Sequence, residues 1–300
     1  MKLIKPSFEI IEQLPGEEGI YKQIELAGRV CWKSGNKITE NSYKNFIEML
    51  KIKQHLSVLE HGTIYLKIPN QTHFEISTKN HRELPANFYK DNPYSIMLVD
   101  RTNDPIEDAK YTLYVTTNLR VLYESNRLDD LKYLCEPEYL HERRITVKFV
   151  CDRGVSHEFV RHRVFSFAQE STRYCNYSKD KFGNEVTFII PCWLDYKEQQ
   201  FIDKNDSSCS IRTDLSEHEY FIDLLLEAER TYNFLVQYCD WTPQQARAIL
   251  PNSLKTELIM TGFVSDWKHF FELRCASSAH PQARELAEPL YSEFVKRGYL

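Results

Sequence analysis

Two hydrophobic periods alternate along this chain. Tyr43, Phe46, Ile47 and Leu50 fall at helical spacing within residues 41–53, where Asn41 or Ser42 stands ready to cap. A helical start is also expected over Gly19–Cys31, after a strand at Phe8–Ile11. A polar turn, His55–His61, leads into an extended run at Thr63–Ile68, and Tyr111–Thr117 is β-like. Ile145–Val150 alternates and is rich in β-branched residues, so it reads as a strand that Gly154 ends. From Val155 to about Phe167 the pattern reads as a helix, with Glu158, Arg161 and His162 on one face. Val186–Ile190 is the next strand, closed by Pro191.

The C-terminal third reads as helical. Residues 203–210 form a polar loop, and Ser216–Cys239 is a long amphipathic helix with Phe221, Leu224, Leu225, Ala228, Tyr232, Leu235 and Val236 inward. Thr242 and Pro243 open another helix as N-cap and first residue. Asn252 or Ser253 is expected to cap a further one. The last helix, Arg284–Lys296, turns Leu286, Leu290, Phe294 and Val295 inward, with Pro289 as a kink.

Chemistry concentrates in residues 157–177. Arg161, His162, Arg163 and Arg173 lie close together with Glu158, Gln169, Glu170, Ser171 and Thr172. Arginine forks match phosphate bidentately, and hydroxyls add neutral donors. Phe159, Val160, Val164, Phe165 and Phe167 interleave with the charges, so this is not a solvated charge run. The plain alternative is a surface helix whose arginines pair with nearby acids.

Arg161-His162-Arg163, then Ser171-x-Arg173, resembles the signature of the flavin-dependent thymidylate synthases. The resemblance extends to His55-x-Ser57-x-x-Glu60-His61, to Ala246-Arg247-x-x-Leu250-Pro251 and to Leu273-Arg274. It covers roughly residues 40–68 and 145–290. It implies FAD, NADPH, dUMP and methylenetetrahydrofolate, and the family's own fold: mixed α/β (α+β), a sheet flanked by helices, non-Rossmann and homotetrameric. It implies Arg274 as the catalytic arginine that activates the uracil. Glu158, Arg161, Gln169, Glu170, Ser171, Thr172, Arg173 and Arg247, with Arg274, are implied on dUMP. Ser57, Arg161, His162, Arg163, Gln169, Ser265 and His269 are implied on the flavin. The chain departs from the better-known pattern at Phe263, Ser265 and His269, where that pattern has Asn-x-Arg-x-x-x-Asn. Compact family members run more directly from the Glu-His strand to the Arg-His-Arg segment, so residues 69–144 read as an insertion within one catalytic domain spanning 1–300.

Composition narrows the picture. Nine glycines without a G-x-G-x-x-G argue against a dinucleotide-binding Rossmann unit. The net charge of −5 and the lack of a basic stripe count against a nucleic-acid binder using the 161–173 cluster. Another nucleotide substrate on the same scaffold is the second rival. The eight cysteines form no C-x-x-C pair, so no metal site is expected, and they read as reduced thiols in a cytoplasmic protein. The N-terminal residues lack a signal-peptide pattern, and no apolar run approaches the roughly 18 residues of a membrane span. Cys192, in Pro-Cys-Trp, is read as a structural, buried thiol, because no histidine follows it. His269 and Arg274 lie five residues apart, about 140° around a regular helix, so both serve one site only if the ligand is large and composite.

Overall fold

The computed structural model describes residues 1–71, 85–100, 111–177, 185–194 and 216–300. The polar loop expected at 203–210 lies outside them. Three sheets occur among the described residues. Strands β1 (Lys2–Ile4) and β8 (Thr187–Ile189) pair in parallel. A four-stranded antiparallel sheet runs β2 (Ser7–Ile11), β6 (Arg144–Asp152), β9 (Lys255–Phe263) and β7 (Ser166–Gln169). A three-stranded antiparallel sheet runs β3 (Thr63–Gln71), β5 (Tyr111–Asn118) and β4 (Ile96–Asp100).

Helices cover these sheets. In β6, Ile145, Val147, Phe149 and Cys151 share one buried face, as period two requires. That face packs against α5 (Arg153–Phe159), α8 (Val264–Arg274) and α9 (Pro281–Lys296), through Phe159, Trp267, Phe270, Leu286 and Phe294. On the sheet's other face, Ala168 and Ile259 meet Ala27 of α1 (Gly16–Cys31). A second core joins α1 and α2 (Ser42–Ile52) to β3, β5, α3 (Pro85–Asp91) and α4 (Leu119–Glu124). Residues 85–144 therefore contribute the middle strand of one sheet. A third core sets α6 (Glu217–Tyr238) and α7 (Pro243–Ala246) against β1 and β8. No helix among the described residues is long and apolar enough to cross a membrane.

Several expectations change here. The helix predicted over Val155–Phe167 is only α5; its N-cap Asp152 accepts from the Val155 N–H at 2.7 Å. Residues 161–165 turn, and 166–169 become β7. The alternation Phe165-Ser-Phe-Ala pairs along β9, with Ser166 opposite Thr261, and Phe165 packs on Trp267 at 4.7 Å. Gly262 makes that approach possible: a Cβ there would sit 2.5 Å from the Phe165 ring. The helix expected after Asn252 or Ser253 is strand β9. As a central strand it buries Leu258, Ile259 and Met260 on both faces, so it lacks the alternation that marks a half-exposed strand.

Smaller corrections follow the same logic. In α6 the buried residues are Ile222, Leu225, Leu226 and Tyr232 with Glu229, whereas Leu224 is 62% exposed. Val295 faces out, and Pro289 sits within α9 without ending it. Asn41 is the N-cap of α2 but makes no side-chain cap bond. Cys192 is exposed rather than buried, though partial burial still raises its thiol pKa.

Phe270 touches Phe149, Phe159, His162 and Trp267 at once, with ring centroids between 5.1 and 6.4 Å. Phe270→Ala should cost about 3–5 kcal/mol in guanidinium unfolding. Val164→Ala, at an exposed position, should stay within about 0.5 kcal/mol. Equal effects would mean that the aromatic cluster is not the core of this layer.

Candidate active site

The sequence-predicted residues gather at the two ends of β7. At its start, Arg274 in the last turn of α8 reaches back to α5 and the turn after it. Its Nη1 donates to Glu158 Oε2 at 2.5 Å and its Nη2 to the Glu158 carbonyl at 2.6 Å. Its Nε donates to His162 Nε2 at 2.9 Å. That bond makes Nε2 the acceptor, so the His162 proton resides on Nδ1. Burial first, and then the Arg274 charge, lower the His162 pKa to about 4. His269 closes the group, its ring 6.3 Å from His162. His269 and Arg274 thus flank one histidine despite their angular separation on the helix.

Arg161 and Arg163 stand exposed on the turn, without side-chain partners among the described residues. Ser265, exposed at the start of α8, donates its backbone N–H to Glu142 at 2.9 Å. Ser57 is exposed in a three-ten turn, Leu56–His61. In that turn His55 stacks on Trp32 at 5.9 Å, and Glu60 pairs with Arg120 at 2.6 Å. Arg144 ties the turn to β7, donating to the Glu60 carbonyl at 3.0 Å and to Ser166 Oγ at 3.3 Å. The Ser57 turn is therefore held to the strand that follows Arg161–Arg163.

The second group lies beyond the other end of β7. Gln169 donates to Ser156 Oγ at 2.8 Å and to Thr256 at 3.3 Å. Glu170, only 2% exposed, accepts from Lys255 Nζ at 2.7 Å and from the Tyr177 hydroxyl at 3.2 Å. Its carboxylate points into the protein. The Ser171 N–H donates to the Cys31 carbonyl at 3.1 Å, and Ser171 Oγ accepts from the Arg173 N–H at 3.3 Å. Arg247 Nη1 donates to Thr172 Oγ1 at 3.0 Å, which brings the Ala-Arg element to the loop. Arg173 is exposed beside the Tyr174 ring. A four-residue strand spans roughly 13 Å, so within one chain Arg274 and the 171–173 loop are well separated.

Sequence reading missed the charges behind this loop. Lys255 also pairs with Glu257 at 2.6 Å, and Glu257 pairs with Lys148 at 2.7 Å. The two lysines hold Glu257 down to about 2 against the upward effect of its burial. The available signal was Lys255-Thr-Glu257, two opposite charges on one face of a strand.

The histidine state has a direct check. A group whose folded pKa lies below its unfolded value of 6.5 loses stability as pH falls through the interval down to about 4. His162 should stay neutral in proton NMR from pH 8 to about pH 5, and His162→Gln should flatten part of the stability loss in that window. Titration of the assigned His162 resonance near 6.5 would contradict the Arg274 bond.

Comparisons with known proteins bear on the family. The family model for thymidylate synthase complementing protein matches residues 138–297. The flavin-dependent thymidylate synthase of Pyrococcus furiosus is 31% identical over 147 residues, which is 49% of this chain and 52% of that protein. That of Corynebacterium diphtheriae is 32% identical over 138 residues, 45% and 50% of the two chains. The chain thus spans about half the length of the curated relatives it matches. Among solved structures, a UMP/dUMP methylase from Streptomyces cacaoi bound with 5-Br UMP aligns at TM-score 0.41 and 16% identity, over 99% of this chain and 92% of that one. Thymidylate synthase X from Helicobacter pylori, with FAD and dUMP, aligns at 0.38 and 14%, over 96% and 92%. With the family model covering more than half of its residues, from the end of the 69–144 segment through α9, the chain belongs to the thymidylate synthase complementing protein family.

Proposed function

We propose that the protein is a flavin-dependent thymidylate synthase. It methylates dUMP to dTMP, with methylenetetrahydrofolate as one-carbon donor and FAD, reduced by NADPH, as cofactor. The observation that carries this reading is the bond set of Arg274, which a charged partner and a neutral histidine fix in one orientation. Residues 1–300 act as a single catalytic domain carrying 69–144 as an elaboration, in the cytoplasm. The cofactor fold is the family's non-Rossmann one.

The residues divide the ligands between them. Arg161 and Arg163, exposed and unpaired among the described residues, suit the anionic pyrophosphate of FAD. Ser57, His162, Ser265 and His269 complete the flavin contacts, with Gln169 at the far end of β7. Ser171, Thr172, Arg173 and Arg247 take the dUMP phosphate, with Glu158 and Arg161 nearer the base. Glu170 supports that loop from inside, since Lys255 occupies its carboxylate.

Uracil C5 is a weak nucleophile, and its attack on the one-carbon unit builds negative charge on the ring. The Arg274 guanidinium stabilises that charge, from a position fixed before reaction. Neutral His162 holds Arg274 without adding a second cation. The flavin, when bound and reduced, supplies the hydride. The span of β7 between Arg274 and the phosphate loop supports an active site shared between chains of a homotetramer.

Two measurements test this. The purified protein should be yellow, and His162→Ala should weaken FAD binding more than folding; no flavin quenching on FAD titration would sink the reading. Arg274→Ala should lower dTMP turnover by about 10²–10³-fold, while Arg173→Ala should mainly weaken dUMP binding. Co-expressed as mixed oligomers, the two variants should regain activity. Mixed oligomers no more active than the separate variants would place both arginines in one chain's site.

A further inference from the structure

One apolar stripe lies outside both groups of site residues. On α6, Tyr220, Glu227 and Phe234 recur every seven residues, and so do Leu224, Thr231 and Tyr238. Two such series, offset by four, make the seam of a coiled coil. This is not the covered side of the helix, since Ile222, Leu225, Leu226 and Tyr232 pack toward β1 and β8. Tyr220 is 43% exposed, Leu224 62%, Phe234 56% and Tyr238 75%. The Phe234 and Tyr238 rings lie 5.6 Å apart on that surface.

The stripe matches its own reversal. Turned end for end about its middle, Tyr220 falls on Tyr238, Leu224 on Phe234 and Glu227 on Thr231. The two central polar side chains already bond each other at 3.3 Å, and apolar positions lie on either side of them. A patch that meets itself when reversed is what a two-fold contact between identical chains requires. Charge selects the direction. Glu217, Asp223 and Glu227 are exposed in the first half of α6, whereas residues 231–238 carry no charged side chain. Parallel helices would set each acid against its own copy, at a cost in repulsion. Antiparallel helices set the acidic half against the uncharged one.

The area is sufficient. At roughly 150–250 Å² for a large side chain, the four apolar members expose about 450–500 Å². That rivals the largest patch on a typical monomer, roughly 300–600 Å². Two copies bury about twice that amount, and the flanking polar groups carry the total past the roughly 1,000 Å² of a specific interface.

We propose that α6 is an interface between two copies of this chain, packed antiparallel about a two-fold axis through the middle of the stripe. Leu224 then meets Phe234 of the partner subunit, and Tyr220 meets Tyr238 of the partner subunit. None of these residues belongs to the candidate site, so the contact uses a different face from the one that a shared active site requires. It stands independently of the thymidylate synthase reading.

Sedimentation velocity of the full-length protein at micromolar concentration tests this. The wild type should sediment with the mass of at least two chains. Leu224→Lys/Tyr238→Lys should halve that mass with an unchanged circular dichroism spectrum, because both side chains are exposed. A second experiment reads the direction, in a background of Cys192→Ser and Cys239→Ser that removes the exposed thiols. There Leu224→Cys/Phe234→Cys should crosslink two chains on mild oxidation. Leu224→Cys alone should not, because antiparallel copies of position 224 lie about 15 Å apart along the axis, beyond disulfide reach. A monomeric wild type overturns the proposal and leaves the seam to a different partner. A lysine variant of wild-type mass overturns it too, as does Leu224→Cys crosslinking alone as fast as the pair, which marks parallel copies.

Discussion

Strand β9 is paired on both edges, with β6 on one side and β7 on the other, and both ends of the candidate site hang from that pairing. Its register with β7 sets Ser166 opposite Thr261, which fixes where the Arg161–Arg163 turn ends. Its C-terminal end runs directly into α8, so the same strand decides where Arg274 arrives. Its N-terminal end carries Lys255 and Glu257 under the 170–173 loop. A slip of one residue would turn Leu258 and Met260 out of the core and move every one of these groups.

The family was easier to read in the residues than the backbone that presents them. Arg161-His162-Arg163, Ser171-x-Arg173 and Ala246-Arg247 carry their meaning in residue type and spacing, which needs no tertiary structure. β9 was hidden because a strand buried on both faces loses its alternation, and Leu258-Ile259-Met260 suits a helix equally well. The short α5 was hidden because the Phe residues beyond it also fit a helical stripe. Only pairing with β9 and the gap at Gly262 select the extended form.

The pairing of Arg274 with His162 could not be read from the sequence, since 112 positions separate them. It emerges only when α8 packs across α5 through Phe159 and Phe270. The aromatic layer is thus a positioning device as well as a core. It sets a guanidinium against a carboxylate and an imidazole that burial keeps neutral. The Leu224 side of α6 was misjudged for a related reason: which stripe of an amphipathic helix is covered depends on its neighbours, and here Ile222 and Leu226 meet β1 and β8.

The Lys255–Glu170 pair has an evolutionary consequence. The two residues lie 85 positions apart, and both are buried. Losing Lys255 strands the buried Glu170 carboxylate at a cost of about 3–5 kcal/mol, a large part of the roughly 5–15 kcal/mol that holds a typical protein folded, whereas losing Glu170 leaves Lys255 paired with Glu257. Either lineage-wide retention of both charges or their replacement together by a neutral, well-packed pair avoids that penalty. Drift at these two positions should therefore be ordered, with Lys255 rarely lost while Glu170 remains, although neither side chain needs to touch a ligand.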